Sequence, residues 1–180
     1  MIPFPDKKYQ IIYADPPWPM GKMGKGKDLR KGHKYKVGAA IPTPYPTMSI
    51  SEIIALPVPK ISDDTCHLWL WATNRTLHDA FHVMLGWKFK YLNILTFNKP
   101  AGVGPWFVNK TQHLLFGYKG KLKMGDGRYT GTSQFYTPKK HSKKPEFVYE
   151  LISKVSPYKS KIELFARQKT EGWDVWGNEV

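Results

Sequence analysis

The sequence predicts an α/β fold, a mostly parallel, twisted sheet with helices on both faces. Short apolar segments rich in β-branched and aromatic residues alternate along the chain with segments of helical periodicity, as in βαβ units. The length of 180 residues and the 41% hydrophobic content suit a single domain, residues 1–180. Ligands of such folds bind beyond the carboxyl ends of the strands, so a functional site is expected at that edge.

Five apolar segments predict strands because each is too short for a helix of ordinary length. The first, Tyr9–Ala14 (YQIIYA), ends abruptly at an acid, two prolines and a tryptophan. The other four are residues 66–72 (CHLWLWA), 89–97, 113–118 and 162–166 (IELFA).

Three segments predict helices. Residues 49–56 (SISEIIAL) carry a capping box, a serine with a glutamate three residues later. A second helix is expected to begin at a cap formed by Thr73 or Asn74 and to end at Gly86. Pro145 suits the first turn of a third helix. The buried face of this third helix is predicted to consist of Phe147, Val148, Leu151, Ile152 and Val155.

The formal charge of +14 indicates a polyanionic partner, and nucleic acid is the natural candidate. The basic residues crowd into two predicted flexible loops, at about 19–43 and 120–144. The first loop includes Lys27, Arg30 and Lys31, which are expected to contact the substrate. A solvated, merely basic surface is the alternative for each loop alone, but two such loops favour phosphate contact.

Other features of the composition narrow the class of protein. No apolar run is long enough to span a bilayer and the N-terminus lacks a signal-peptide pattern, so a soluble, intracellular protein is expected. The single cysteine, Cys66, excludes an internal disulfide and is expected to be a small buried residue. His67, His78 and His113 show no metal-ligand spacing, and no metal is expected.

The tetrapeptide from Asp15 to Trp18 (DPPW) suits methyl transfer to the exocyclic amine of adenine. That nitrogen is a weak nucleophile because its lone pair is delocalised into the ring. Asp15 and the carbonyl of Pro16, held by the stiff Pro16–Pro17 backbone, can accept hydrogen bonds from both amino hydrogens. Trp18 is expected to stack on the extruded base. Rigid positioning and fixed dipoles supply much of the catalysis that such a reaction needs.

The tetrapeptide resembles the catalytic sequence of adenine methyltransferases typified by the catalytic subunit of the eukaryotic messenger-RNA adenosine methyltransferase, with bacterial and phage DNA-modifying relatives. Four further stretches resemble that family in the same order and extend the match nearly from end to end. They are residues 44–49 (PYPTMS), 68–74 (LWLWATN), 142–146 (SKKPE) and 161–179 (KIELFARQKTEGWDVWGNE).

The resemblance implies a Rossmann-like fold with permuted motif order that binds S-adenosyl-L-methionine. It places Asp15 near the target amine and the methionine end of the cofactor, and Lys144 near the cofactor carboxylate and the target base. Tyr45 resembles an aromatic residue that contacts the adenine. The remaining implied cofactor contacts are Phe165, Arg167, Asn178 and Glu179, with Glu163 at the edge of the same pocket.

Simpler structural roles compete with several of these assignments. Phe165 is equally well explained as a core residue, and Glu163 as the partner of a lysine. Trp69, Trp71, Trp173 and Trp176 are interpreted as core residues rather than base-stacking ones.

The sequence also departs from the family. Gln112 stands where many relatives carry a glutamate, which removes a charge near the expected target pocket. Few residues precede Tyr9 to provide the usual acidic contact to the cofactor adenine, so either the cofactor is bound with modest affinity or Pro3 to Pro5 substitute for that contact. The segment between Trp18 and Pro44 is longer and more basic than in the messenger-RNA enzymes.

The ending GWDVWGNE and the compact chain resemble the bacterial and phage branch of the family, which implies adenine methylation of DNA in the cytoplasm of a bacterial or phage-infected cell. RNA is the alternative substrate. A catalytically silent subunit that binds nucleic acid and a methyltransferase of protein amides are the competing hypotheses from other classes. About 180 residues leave no room for a separate recognition domain, so the choice of target sequence is expected to come from the two basic loops or from a second subunit, with a homodimer as a further option.

Overall fold

The computed structural model describes residues 2–19, 46–103, 107–137 and 144–180. Seven strands lie in these ranges: β1 (Tyr9–Ala14), β2 (Ser62–Thr73), β3 (Lys90–Val103), β4 (Asn109–Lys119), β5 (Ser133–Phe135), β6 (Lys161–Leu164) and β7 (Asp174–Trp176). The α-helices there are α1 (Ile50–Ala55), α2 (Val58–Ile61), α3 (Leu77–Gly86) and α4 (Phe147–Val155), and a 3-10 helix covers Asp126–Tyr129.

The strands form one sheet in the order β5-β3-β4-β2-β1-β6-β7. All neighbouring pairs are parallel except the two that involve β4, so six strands run in one direction and β4 runs in reverse. The predicted mostly parallel α/β sheet is therefore confirmed, with one antiparallel strand inserted between β2 and β3.

The carboxyl edge of the sheet is stepped. Ala14, the last residue of β1, pairs with Leu70 of β2 and with Leu164, the last residue of β6. β2 continues beyond this level to Thr73, which pairs with Gln112 of β4. β3 extends further still, so β2, β4 and β3 form a wall beside the place where β1 and β6 end. The turn that begins at Asp15 therefore lies beside this wall, at the level where β1 and β6 end.

Both faces of the sheet are covered. One apolar cluster joins Ile12 and Leu68 of the sheet to Ile53, Val58 and Val83 of α1, α2 and α3. The cluster on the other face is built from the alternate strand residues and the apolar side of α4. Trp69, Trp71, Trp173 and Trp176 are all buried, which confirms their interpretation as core residues.

Two of the predicted helices begin elsewhere than expected. α1 has the predicted capping box, with the Ser49 side chain accepting from Glu52 N. α3 starts after Thr76 rather than after Thr73 or Asn74, because Thr76 N donates to Thr73 O at 3.1 Å and closes a turn before the helix. α4 begins two residues after Pro145, which precedes the helix instead of lying in its first turn.

Two side-chain and loop predictions are also corrected. Phe147 is 38% exposed, so it does not belong to the buried face of α4. The region 120–137, predicted as part of a flexible loop, contains the 3-10 helix and β5. Cys66 is fully buried, as predicted, and burial raises the pKa of its thiol to about 12. In the described part of the chain, no helix has the length and apolar character needed to cross a membrane.

Candidate active site

The turn from Asp15 to Trp18 follows β1 directly and is fixed by backbone hydrogen bonds. Trp18 N donates to Pro16 O at 2.8 Å, and Met48 N donates to Pro17 O at 2.9 Å, which ties the turn to the residues before α1. The two proline rings restrict the backbone further. A carbonyl oxygen has two acceptor sites, so Pro16 O keeps one that its bond to Trp18 does not use.

Asp15 and Lys144 form a partly buried ion pair. Lys144 Nζ donates to Asp15 Oδ2 at 2.8 Å, and the side chains are 18% and 28% exposed for Lys144 and Asp15 respectively. The ammonium also lies 5.1 Å from the centre of the Trp71 ring. The 2.8 Å bond from Lys144 holds the carboxylate in a defined orientation. Salt screens this partly buried pair less than it would screen an exposed one.

Trp18 is 6% exposed and packs in the core with residues of α1 and β2. Its indole Nε1 donates to Trp71 O at 2.9 Å. The prediction that Trp18 stacks on the target base does not fit this placement, because its ring already has core neighbours. Trp18 instead anchors the turn that carries Asp15.

Glu163 of β6 lies close to the Asp15 turn. Its Oε2 accepts a hydrogen bond of 2.8 Å from the Tyr149 hydroxyl, so its described partner is a tyrosine and not the lysine considered from the sequence. Burial raises the pKa of Glu163 to about 7, the bond from Tyr149 opposes this shift, and the nearby Asp15 charge adds to it. A substantial fraction of Glu163 is therefore protonated at neutral pH.

Two residues that the sequence analysis missed also line this region. The Tyr136 hydroxyl donates to Gln112 Oε1 at 3.1 Å, and burial together with the Asp15 charge raises the pKa of Tyr136 to about 12. Burial and the neighbouring Lys144 lower the pKa of Lys99. Gln112 thus lies within the same cluster as Asp15, through Tyr136. Neither Tyr136 nor Lys99 stands in a recognisable motif.

The residues predicted to bind cofactor follow β6 and β7 at the same edge of the sheet. Phe165 comes directly after β6 with a φ of 63°, a left-handed conformation that is strained for a residue with a side chain. Its ring packs edge-on against Trp176 at 5.5 Å, so it is partly a core residue. Arg167 Nε lies 3.7 Å from Glu179 Oε1, and Asn178 is exposed beside this pair.

The MT-A70 family model matches residues 9–179, almost the whole chain. The chain belongs to the MT-A70 family.

Its relatives carry methyltransferase names. The Type II methyltransferase M.MunI of Mycoplasma sp is 35% identical over 98% of this chain and 79% of its own length. The N(6)-adenosine-methyltransferase MT-A70-like protein of Drosophila melanogaster is 27% identical over 96% of this chain. The human N(6)-adenosine-methyltransferase catalytic subunit METTL3 is 24% identical over the same share. This chain covers only 27% and 28% of those two proteins.

The match confirms the predicted family and its methyltransferase class. Within this MT-A70 domain the structure pairs Asp15 with Lys144 and bonds Gln112 to Tyr136, and it places Arg167 and Glu179 after neighbouring strands of the same edge. Tyr45, Lys27, Arg30 and Lys31 lie outside the described residues.

One cluster of potential metal ligands lies on α3 of this MT-A70 domain. The side chains of His78, Asp79 and His82 bring ligand atoms within 4.8 Å of one another. His78 and His82 stand four residues apart on α3, a helical spacing that the sequence-based prediction of no metal did not take into account. Both histidines are exposed, and exposed groups of this kind are common without an ion.

Proposed function

We propose that this MT-A70 domain transfers a methyl group from S-adenosyl-L-methionine to the exocyclic N6 amine of adenine in DNA. The observation that carries the proposal is the Asp15–Lys144 ion pair at the carboxyl end of β1. It holds an oriented carboxylate on a stiff turn, at the edge of the sheet where ligands of this fold bind.

The residues of this edge fit S-adenosylmethionine by the chemistry of their side chains. Arg167 and Lys144 offer cations for its carboxylate, and Asn178 and Glu179 offer acceptors for its ribose hydroxyls. These residues follow β6 and β7 or pair with Asp15 after β1, and all three strands are parallel neighbours. S-adenosylmethionine supplies the methyl group as an electrophilic sulfonium.

The turn then has two tasks toward the adenine amine. Lys144 binds Asp15 Oδ2, so we assign Oδ1 to accept one amino hydrogen, and the remaining acceptor site of Pro16 O to accept the other. Bonds to both hydrogens direct the nitrogen lone pair toward the methyl group. The Asp15 carboxylate also stabilises the positive charge that develops on nitrogen, because the fixed charge needs no reorganisation during the reaction.

DNA is the preferred polymer because the relative with the highest identity among those described above is a Type II methyltransferase that this chain matches over nearly its whole length. The same reaction on RNA is the second candidate, favoured by the relatives named N(6)-adenosine-methyltransferases. The net charge of +14 suits either polymer. The intact Asp15–Lys144 pair argues against a silent binding subunit. We also propose that the protein acts in the cytoplasm, either as a homodimer or with a second subunit.

The test is mass spectrometry of nucleosides from the DNA and RNA of cells expressing the wild-type protein or Asp15→Ala. N6-methyladenine in DNA only with the wild type is the expected result. Methylation confined to RNA would transfer the proposal to the second candidate. Equal signal from both proteins would refute the role of Asp15, and no signal in either polymer would refute the function.

A further inference from the structure

A preformed groove lies at the outer end of the wall formed by β3. It has a volume of about 540 Å³, within the range of small-ligand sites, and is lined by Asn98, Lys99, Pro100, Phe135, Tyr136 and Thr137. Hydrogen bonds hold its two sides together: Asn98 Nδ2 donates to Ser133 Oγ at 3.0 Å, and Tyr136 N donates to Asn98 O at 3.0 Å. The groove therefore does not depend on a ligand to assemble its sides.

The groove adjoins the Asp15 site. Tyr136 lines it, and its ring lies 6.1 Å from the Phe97 ring, which is 4.8 Å from the Trp71 ring that the Lys144 ammonium contacts. Lys99 lines it as well, and is close enough to Lys144 for their charges to interact. A strand of nucleic acid whose target base reached Asp15 would therefore bring a neighbouring nucleotide to this groove.

The outer rim of the groove exposes an aromatic ring. Phe135 belongs to β5, the edge strand of the sheet, and is 79% exposed. Because this ring is exposed, it contributes little hydrophobic stabilisation to the fold. Its open face can instead stack on any base. Protein sites that bind single-stranded nucleic acid combine such rings with cationic side chains along the phosphate backbone.

We propose that this groove binds the nucleotide next to the target adenine, with its base stacked on Phe135 and its phosphate bound by Lys99. The inference rests on the proposed function, because it takes Asp15 as the position of the target base. The charge supports it: Lys99 is a cation in the lining of the groove, and the neighbouring Lys144 charge adds to the positive potential that attracts a phosphate.

The experiment measures binding of a short fluorescent single-stranded DNA, one adenine among thymines, by anisotropy. Phe135→Ala is expected to weaken binding about tenfold, while Phe135→Trp, which keeps a stacking ring, retains the wild-type affinity. Phe81→Ala is the matched control, because Phe81 is also an exposed phenylalanine but lies on α3. Lys99→Met is expected to weaken binding and to reduce its dependence on salt concentration.

A double-mutant cycle that combines Phe135→Ala with probes lacking one base identifies the base that Phe135 contacts. Removing the base at one position beside the adenine should weaken wild-type binding as much as Phe135→Ala does, and should cause no further loss in that variant. The wild-type arm of this cycle needs no substitution, so it stands even if a variant fails to fold. Losses that are additive at every position, or an unchanged affinity of Phe135→Ala, would overturn the proposal.

The two proposals fail separately. Wild-type protein that binds the probe with the expected cycle but transfers no methyl group would refute the proposed function and leave the groove assigned to nucleic acid. Protein that methylates DNA while Phe135→Ala keeps the wild-type KM and affinity would refute the groove alone. A stronger effect on the RNA form of the probe would assign the groove to an RNA strand and overturn its assignment to DNA.

Discussion

Lys144 Nζ lies 2.8 Å from Asp15 Oδ2, although the two residues are separated by 129 positions in the sequence. The contact joins the turn after β1 to the segment before α4, so the two motifs that the sequence analysis identified separately form one site. Both side chains are partly shielded from water, so salt screens the pair less than it screens a surface salt bridge.

Asp15→Asn should lower kcat by about 10² to 10³, because the amide keeps the shape of the side chain but removes the charge that stabilises the transition state. Lys144→Met should lower kcat/KM at least about tenfold by releasing the orientation of Asp15. Lys7→Met is the control: Lys7 pairs with Asp174 at 2.7 Å, but both are about half exposed. Steady-state methyl transfer from labelled cofactor measures all three, and a comparable loss in Lys7→Met would contradict a specific role for Lys144.

Glu163 should make the protein less stable as the pH rises. Its pKa in the folded state is about 7, above the ordinary 4.5, so the folded state holds a proton that the unfolded state has released between these values. Stability therefore falls from about pH 4.5 to about pH 7, by about 3 kcal/mol at most. In Glu163→Gln this loss should disappear. Urea unfolding at several pH values tests it, with the exposed Glu150→Gln expected to behave as the wild type.

His67 should act in the opposite direction. It is buried on β2, with Nδ1 2.8 Å from Ser156 Oγ, and burial lowers its pKa from 6.5 to about 4. The unfolded state binds the proton first as the pH falls, so stability decreases from about pH 6.5 to about pH 4. His67→Gln should weaken this decrease, whereas His78→Gln, on an exposed residue, should leave it unchanged. If His67→Gln and the wild type lost the same stability between about pH 6.5 and about pH 4, His67 would not be the cause of the decrease.

Trp18→Phe should destabilise the fold without impairing binding of the substrate. The change leaves Trp71 O without its indole donor, at a cost of about 1–3 kcal/mol. Trp87→Phe is a close match, because Trp87 Nε1 donates to Ile53 O at 3.0 Å in the core. Both variants should show lower unfolding free energies and an unchanged KM for the oligonucleotide. A rise in KM confined to Trp18→Phe would reinstate Trp18 as a base-stacking residue.

Glu179→Gln should raise the KM for S-adenosylmethionine about tenfold by weakening a charged hydrogen bond to the ribose and its pairing with Arg167. The KM for the oligonucleotide should stay within about twofold. Glu171→Gln, at an exposed position between β6 and β7, provides the control. Equal changes in the two KM values would indicate a general structural effect rather than a cofactor contact.

The sequence predicts the longer elements well because their periodicity is strong. β1, β2, β3, β4 and β6 coincide with the five predicted strands, although β2, β3 and β4 extend further than expected. β5 and β7 have three residues each, too few to show alternation. The reversal of β4 was missed because alternating strands and helices favour parallel pairing, whereas β3 and β4 follow each other closely in the chain and form an antiparallel pair.

The site was predictable where chemistry and motif coincide, as for Asp15 and Lys144. Trp18 was assigned to the wrong role because its residue type reveals its size and its donor, but not the side of the turn on which it packs. Tyr136 and Tyr149 were missed because only the fold brings their hydroxyls to Gln112 and Glu163. The strained backbone of Phe165 leaves no trace in composition or spacing.

The state of Cys66 makes the molecule easy to label. It is the only cysteine in the chain, its side chain is buried, and its thiol holds its proton far above neutral pH. A maleimide dye should therefore leave the native protein unlabelled and react with one new surface thiol at the groove rim, such as that of Thr137→Cys, an exposed lining residue with no assigned role. Emission from a dye at that rim would report, in real time, each arrival and departure of a strand.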